Sequence, residues 1–255
     1  MRVIERSPIG GDGGANSITD RATGIWRFGW SWDQDIQAQS VLVRILGDVL
    51  DNTYTMISNV ALPRFSLPVP LVLVGPTGVR TIYTSAVKGI FRVKGENWYK
   101  LAEKDKRYKI HRPNLVRRTE LMSRAIIDYL GENGIYLDDP EAVLFFAQPG
   151  VHIDAPESPI RLLHVDGVTG YAATFNEEKT VLDAMEIHHV VELLTKSKPS
   201  RVKSNESFGS LKPPSDVVGY GDFKLKVWQW ILLFILAVFM LITVIVTAVI
   251  IVGST

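Results

Sequence analysis

Several groups of residues carry side chains able to bind or transform something. Residues 100–118 hold Lys100, Lys104, Lys106, Arg107, Lys109, Arg112, Arg117 and Arg118 against Glu103 and Asp105, with Tyr99, Tyr108 and His111 interleaved. Lys104, Lys106, Arg107, Lys109 and Arg112 are the candidate polyanion ligands of this run, since cations with interleaved rings can track a phosphate backbone. The plainer reading, a solvated loop leading into a helix, is preferred. His188 and His189 are adjacent, so on a helix they point about 100° apart and lack the i, i+4 spacing of a zinc helix. They read as surface or core histidines. Asp138-Asp139 before Pro140, and Asp154 and Glu157 in a Pro-containing stretch, read as loop and cap residues rather than paired carboxylates. Gly10-Gly11-Asp12-Gly13-Gly14 has no strand before it and matches neither phosphate-binding glycine pattern.

These groups must be held by elements, and the patterning supplies them. The chain has 255 residues, 46% hydrophobic and 22% charged, the composition of a folded protein. A net charge of +1 selects no polyanion for the chain as a whole. Cysteine is absent, which excludes disulfides, thiolate zinc sites and cysteine nucleophiles and fits a reducing compartment. The first residues lack the apolar core of a secretory signal. Residues 31–50 predict a helix opened by a Ser31/Gln34 capping box, with Ala38, Val41, Leu42, Ile45, Leu46, Val49 and Leu50 inward. Strands are predicted at 54–60 and 90–94, with Trp98 in the core. Residues 69–88 predict a hairpin with a buried first arm, turned at Gly75-Pro76-Thr77-Gly78 by glycine's tolerance of positive φ. A second helix is expected at 114–130, a central strand at 142–147, short strands at 160–165 and 170–175, and a closing helix at 180–196.

The ends of the chain have a different character. Residues 1–30 read as an arm, on which Trp26, Phe28, Trp30 and Trp32 alternate at period two and share one side of an extended segment. Packing onto the domain is preferred over base stacking or a membrane-surface role. The α/β domain spans 31–195, and residues 196–226 form a basic linker rich in Pro and Ser. In 227–252, the run 230–252 is uncharged and, at about 34 Å as a helix, long enough to cross a bilayer. Trp228 and Trp230 mark the interface, with Lys224 and Lys226 just outside. A single-pass, tail-anchored protein of the cell membrane is expected. The lysines and arginines of the linker put the large N-terminal domain in the cytoplasm. No G-x-x-x-G pattern marks the apolar segment for tight self-pairing.

From about residue 37 to 175 the chain resembles the nuclease-related domain (NERD) family of the PD-(D/E)XK restriction-endonuclease-like superfamily. The resemblance rests on Y-T-M-I-S-N-V-A-L-P at 54–63, L-V-L-V-G-P-T-G-V at 71–79, T-I-Y-T-S at 81–85 and K-G-I with Trp98 downstream. It implies a central mixed sheet flanked by helices, and a divalent metal held by carboxylates beside a lysine. Where the family carries an aspartate, a glutamate and a lysine, this chain has Pro70, Tyr83 and Ser85, and the helix glutamate falls near Gln39. Two neutral oxygens are too few hard ligands for a divalent ion. Glu96 and Lys88 are the nearest replacements if ligands have migrated.

A catalytically inactive, membrane-anchored nuclease-like domain is therefore expected. It would have no catalytic or metal-ligating residues and no cofactor, and would serve as a binding or assembly module or as an accessory subunit. Its partners would be the lipid bilayer and other membrane-protein subunits. The alternatives are an active metal-dependent nuclease with migrated ligands, or a protein that binds nucleic acid without cutting it.

Overall fold

The computed structural model describes residues 1–6, 32–63, 65, 68–137 and 140–197. The chain divides into two units, 1–220 and 221–255, and every described residue belongs to the first. The arm's glycines with Trp26, Phe28 and Trp30, Ser31, Asp138-Asp139, the linker beyond Ser197, and the apolar run with Lys224, Lys226, Trp228 and Trp230 lie outside the described residues, whereas Trp32 is the first residue of a helix and not part of an extended segment. Among the described residues no helix is long and apolar enough to cross a membrane.

The hairpin at 69–88 is the middle of the larger sheet. Strands β3 (Val69–Gly75) and β4 (Gly78–Ser85) pair antiparallel, closing with Gly75 opposite Gly78. Both arms are buried along their whole length, so the returning strand is as deeply enclosed as the first. β2 (Thr55–Val60) joins β3 antiparallel, and β1 (Arg2–Ile4) adds in parallel to β2. The first residues of the chain are therefore part of the sheet, not of an arm. On the other side β8 (Glu141–Phe146) runs parallel to β4, and β10 (Arg161–His164) parallel to β8. The result is a six-stranded mixed sheet in the order β1-β2-β3-β4-β8-β10.

Its two faces are covered by different helices. Alternation along β3 and β4 sends Leu71, Leu73 and Ile82 to a core shared with Leu42 and Leu46 of α1 (Trp32–Val49). Val72, Val74, Val79 and Tyr83 go to the opposite core. There they meet Met122 and Ile126 of α2 (Leu115–Glu132) and Val190 and Leu194 of the last helix, Ala184–Lys196. Asn114 caps α2, accepting the Arg117 amide at 3.1 Å. Pro70 has no N–H to give the ladder, and Asn59 across from it leaves the register at φ 54°, its Nδ2 donating to the Arg6 carbonyl at 2.9 Å.

A second sheet is built from three strands of the connection between β4 and α2 and one strand that follows β8. Strands β5 (Ile90–Lys94), β6 (Asn97–Leu101), β7 (Tyr108–Ile110) and β9 (His152–Asp154) stand in the order β7-β6-β5-β9. Trp98 is fully buried, stacked on Phe91 at 4.6 Å and parallel to Phe146 at 6.2 Å.

Several expectations are corrected. Residues 170–175 are not a strand, because Val168, Tyr171, Ala172 and Phe175 recur at three and four and bury one face of helix α3 (Val168–Thr174) and its cap. The closing helix, α4 (Ala184–Lys196), starts four residues later than expected, where Asp183 and Glu186 form a complete capping box. Val49, placed in the core by periodicity, is 42% exposed at the end of α1. Asp154 lies in strand β9 and pairs with Arg92 at 2.7 Å. The basic run is a β-hairpin rather than a loop, and its last member, Arg118, is 1% exposed inside α2.

Candidate functional site

One step beyond the Leu71–Ile82 pair, the ladder sets Pro70 opposite Tyr83, with Ser85 two residues further along the same face. The three positions singled out by the resemblance thus converge at one end of the hairpin, under α2. Gln39 does not join them, because α1 packs on the other face of the sheet. At Tyr83 stands Arg118, whose Nη1 donates to the phenol oxygen at 2.9 Å and whose guanidinium carbon lies 5.5 Å from the ring centre. The Ser85 hydroxyl accepts the Val87 amide at 3.4 Å.

The carboxylate that does reach this corner is Asp35, one turn before Gln39 on α1. Its Oδ1 accepts the Ala86 amide at 3.0 Å, and its backbone carbonyl accepts the Thr84 hydroxyl at 3.1 Å. Asp35 therefore ties the first turn of α1 to the end of β4. Burial pushes its carboxyl up to about 6, against the opposing pull of the Ala86 amide and the Arg118 charge. Sequence reading missed both groups. The inward period of α2 through Leu115, Thr119 and Met122 was the available signal for Arg118. Asp35 had none, because its partner amide is 51 residues away.

This corner does not suit a divalent cation. Asp35 is a single carboxylate already accepting the Ala86 amide, Pro70 offers no side-chain oxygen, Tyr83 and Ser85 offer neutral ones, and Arg118 brings a positive charge. Among the described residues no group of three or more His, Asp and Glu is placed to hold a metal. Glu96 and Lys88 are exposed in the turn after β5 and the connection before it. His188 and His189 are exposed on α4.

Asp35 gives a pH test with a definite sign. A carboxyl whose folded value is raised contributes stability that is present at low pH and is lost as pH climbs through about 6. Asp35→Asn keeps an oxygen for the Ala86 amide and removes the titration. The variant is expected to gain about 2 kcal/mol on the parent between pH 4 and pH 7.5, read from denaturant unfolding at each pH.

At the opposite end of β4 lies a denser ionic cluster. Buried Arg80 donates to Glu141 at 3.1 Å and to the Thr77 hydroxyl at 2.7 Å, and pairs with Glu178. Its guanidinium lies 4.0 Å from the centre of the Phe175 ring. Glu141 also accepts from the Tyr171 hydroxyl at 2.6 Å and pairs with Arg161. Burial, and then the Glu141 charge, push the Tyr171 phenol far up. The cluster clasps α3 to the sheet and leaves no activated nucleophile. A cleft of about 460 Å³ beside it is lined by Ser123, Ile127, Glu141 and Arg161 among others. Both of its glutamates are engaged, Glu141 as described and Glu120 by Arg124.

The candidate polyanion ligands are gathered on the β6–β7 hairpin. Lys104, Lys106 and Arg107 project from its turn with no ion pair among the described residues, and Arg112 is exposed just after β7. Lys109 differs, being paired with Asp105 at 2.6 Å. Burial and the nearby Lys100 charge hold His111 below its usual range. No protein-family model, no curated protein and no solved structure matches the chain.

Proposed function

We propose that the protein is a membrane-anchored, catalytically inactive relative of the NERD nucleases, whose domain serves as a binding and assembly module. The observation that carries this reading is the Arg118 guanidinium on the Tyr83 phenol, at the position where an active member would carry a metal-binding glutamate. A fixed cation on a neutral ligand stands in for the ion and opposes its entry. The order of helix, three antiparallel strands, helix and parallel strand along residues 32–146 is compatible with the resemblance. Anchoring rests on the uncharged run at 230–252, and the cytoplasmic side on the basic residues before it.

The test is metal binding together with cleavage. The full chain in detergent, titrated with Mn²⁺ by electron paramagnetic resonance, is expected to take up no ion at micromolar concentrations and to leave DNA and RNA intact in Mg²⁺ or Mn²⁺. A saturable Mn²⁺ site, with cleavage abolished by Asp35→Asn or Glu96→Gln, would overturn the reading in favour of a nuclease with migrated ligands.

A further inference from the structure

The smaller sheet has one covered face and one open face. Phe91, Val93 and Trp98 point into the core, while Ile90, Arg92 and Lys94 alternate outward. Register carries the open face across the strands, Arg92 lying opposite Tyr99, and Tyr99 opposite Ile110. Ile110 is 68% exposed and Ile90 40%. Tyr108 is half-buried, with the Arg92 guanidinium 4.1 Å from its ring centre. Residues 88–112, which form three strands of this sheet and their turns, carry nine cations against three acids, net +6 in a chain whose total is +1, and the fourth strand adds one acid to the face, Asp154, paired with Arg92. Exposed aliphatic side chains, half-buried tyrosines and a rim of unpaired lysines and arginine are the combination that settles at a lipid headgroup boundary. Neutral pairing with a protein would leave the rim cations unanswered.

The geometry points to this face docking on the anionic surface of the bilayer that holds the C-terminal segment. The inference rests on the anchored reading above. Residues 198–226 separate the end of α4 from the apolar run, and a chain of that length reaches at most about 100 Å. On the anchored reading that tether keeps the domain within reach of the headgroups and raises its effective concentration there. Ile90 and Ile110 enter the headgroup boundary with the tyrosines around them, while Lys94, Lys104, Lys106 and Arg107 meet lipid phosphates and carboxylates. Docking then fixes which side of the domain is left for a partner.

Because the chain contains no cysteine, one introduced thiol reports one position. Ile110→Cys and, as a control, Met185→Cys at the far end of the larger sheet each receive an environment-sensitive fluorophore in the full chain. The labelled chains are reconstituted into vesicles bearing a nitroxide near the headgroups, either in phosphatidylcholine alone or with 30 mole per cent phosphatidylserine. Quenching is expected at 110 in the anionic vesicles, and it should be weak in neutral ones and at 185. Reversing Lys104, Lys106 and Arg107 to Glu should remove it, each lost cation alone lowering the docked population about fivefold. Equal quenching at 110 and 185, or quenching unmoved by charge reversal, would overturn the inference. So would a label at 110 already shielded from aqueous iodide in detergent, where another part of the chain covers the face, or one released by a single-stranded oligonucleotide. Extraction of the whole chain by alkaline carbonate would instead defeat the anchored reading itself.

Discussion

Arg118→Met is expected to cost the domain about 3 kcal/mol at pH 8 and clearly less at pH 5. Arg118 is 1% exposed, and its guanidinium donates to Tyr83 and draws down the Asp35 carboxyl by its charge. Methionine fills most of the volume but leaves the phenol without this donor and Asp35 without the cation that favours its ionised form. Asp35 already sits at about 6 because burial outweighs that cation, so its removal drives the value further up. Between pH 5 and 8 the folded variant must then either hold a proton or keep a more costly carboxylate. Its stability falls more steeply with pH than the parent's. Denaturant unfolding across that range measures the slope. In the Asp35→Asn background the same substitution should lose its pH dependence and part of its cost, since the coupled carboxylate is gone. An equal, pH-independent loss in both backgrounds would show that Arg118 acts only through packing.

Gly75→Ala should destabilise by about 2–3 kcal/mol, for a spatial reason rather than a conformational one. A Cβ at Gly75 would lie 2.1 Å from Tyr54 Cδ1 and 2.3 Å from Cε1. The ring cannot step aside easily, being 8% exposed and packed on Phe175 with centres 5.6 Å apart. Tyr54→Ala alone leaves a cavity between β2 and α3 and should cost about 3 kcal/mol. Adding Gly75→Ala to it should then be close to neutral, a coupling of about 2 kcal/mol in a double-mutant cycle. Gly78 provides the contrast, with open space around its would-be Cβ but φ at +108°. Substitution there meets backbone strain that Tyr54→Ala will not relieve.

The two turn glycines illustrate how far the sequence could be read. Gly75-Pro76-Thr77-Gly78 announces a tight turn, yet nothing local tells that Gly78 supplies the positive φ while Gly75 makes room for a ring 21 residues earlier in the chain. Residues 170–175 form a helix rather than the expected strand, because Val168, Tyr171, Ala172 and Phe175 bury one side against the sheet, a contact that the local sequence does not contain. The site followed the same rule. Pro70, Tyr83 and Ser85 could be named from order along the chain, but the cation among them could not.

By itself, then, the sequence determined the elements whose signal is local: the apolar hairpin, the periodic faces of α1 and α2, the Trp98 core position and the absence of any thiol. Only the tertiary structure decided that β1 joins the sheet, that Arg118 leaves the basic surface to stand over Tyr83, and that Asp35 rather than Gln39 meets the end of β4. The physical reason is range. Periodicity and turn chemistry act over a few residues, whereas the partner of a buried charge is chosen by desolvation and register between segments tens of residues apart.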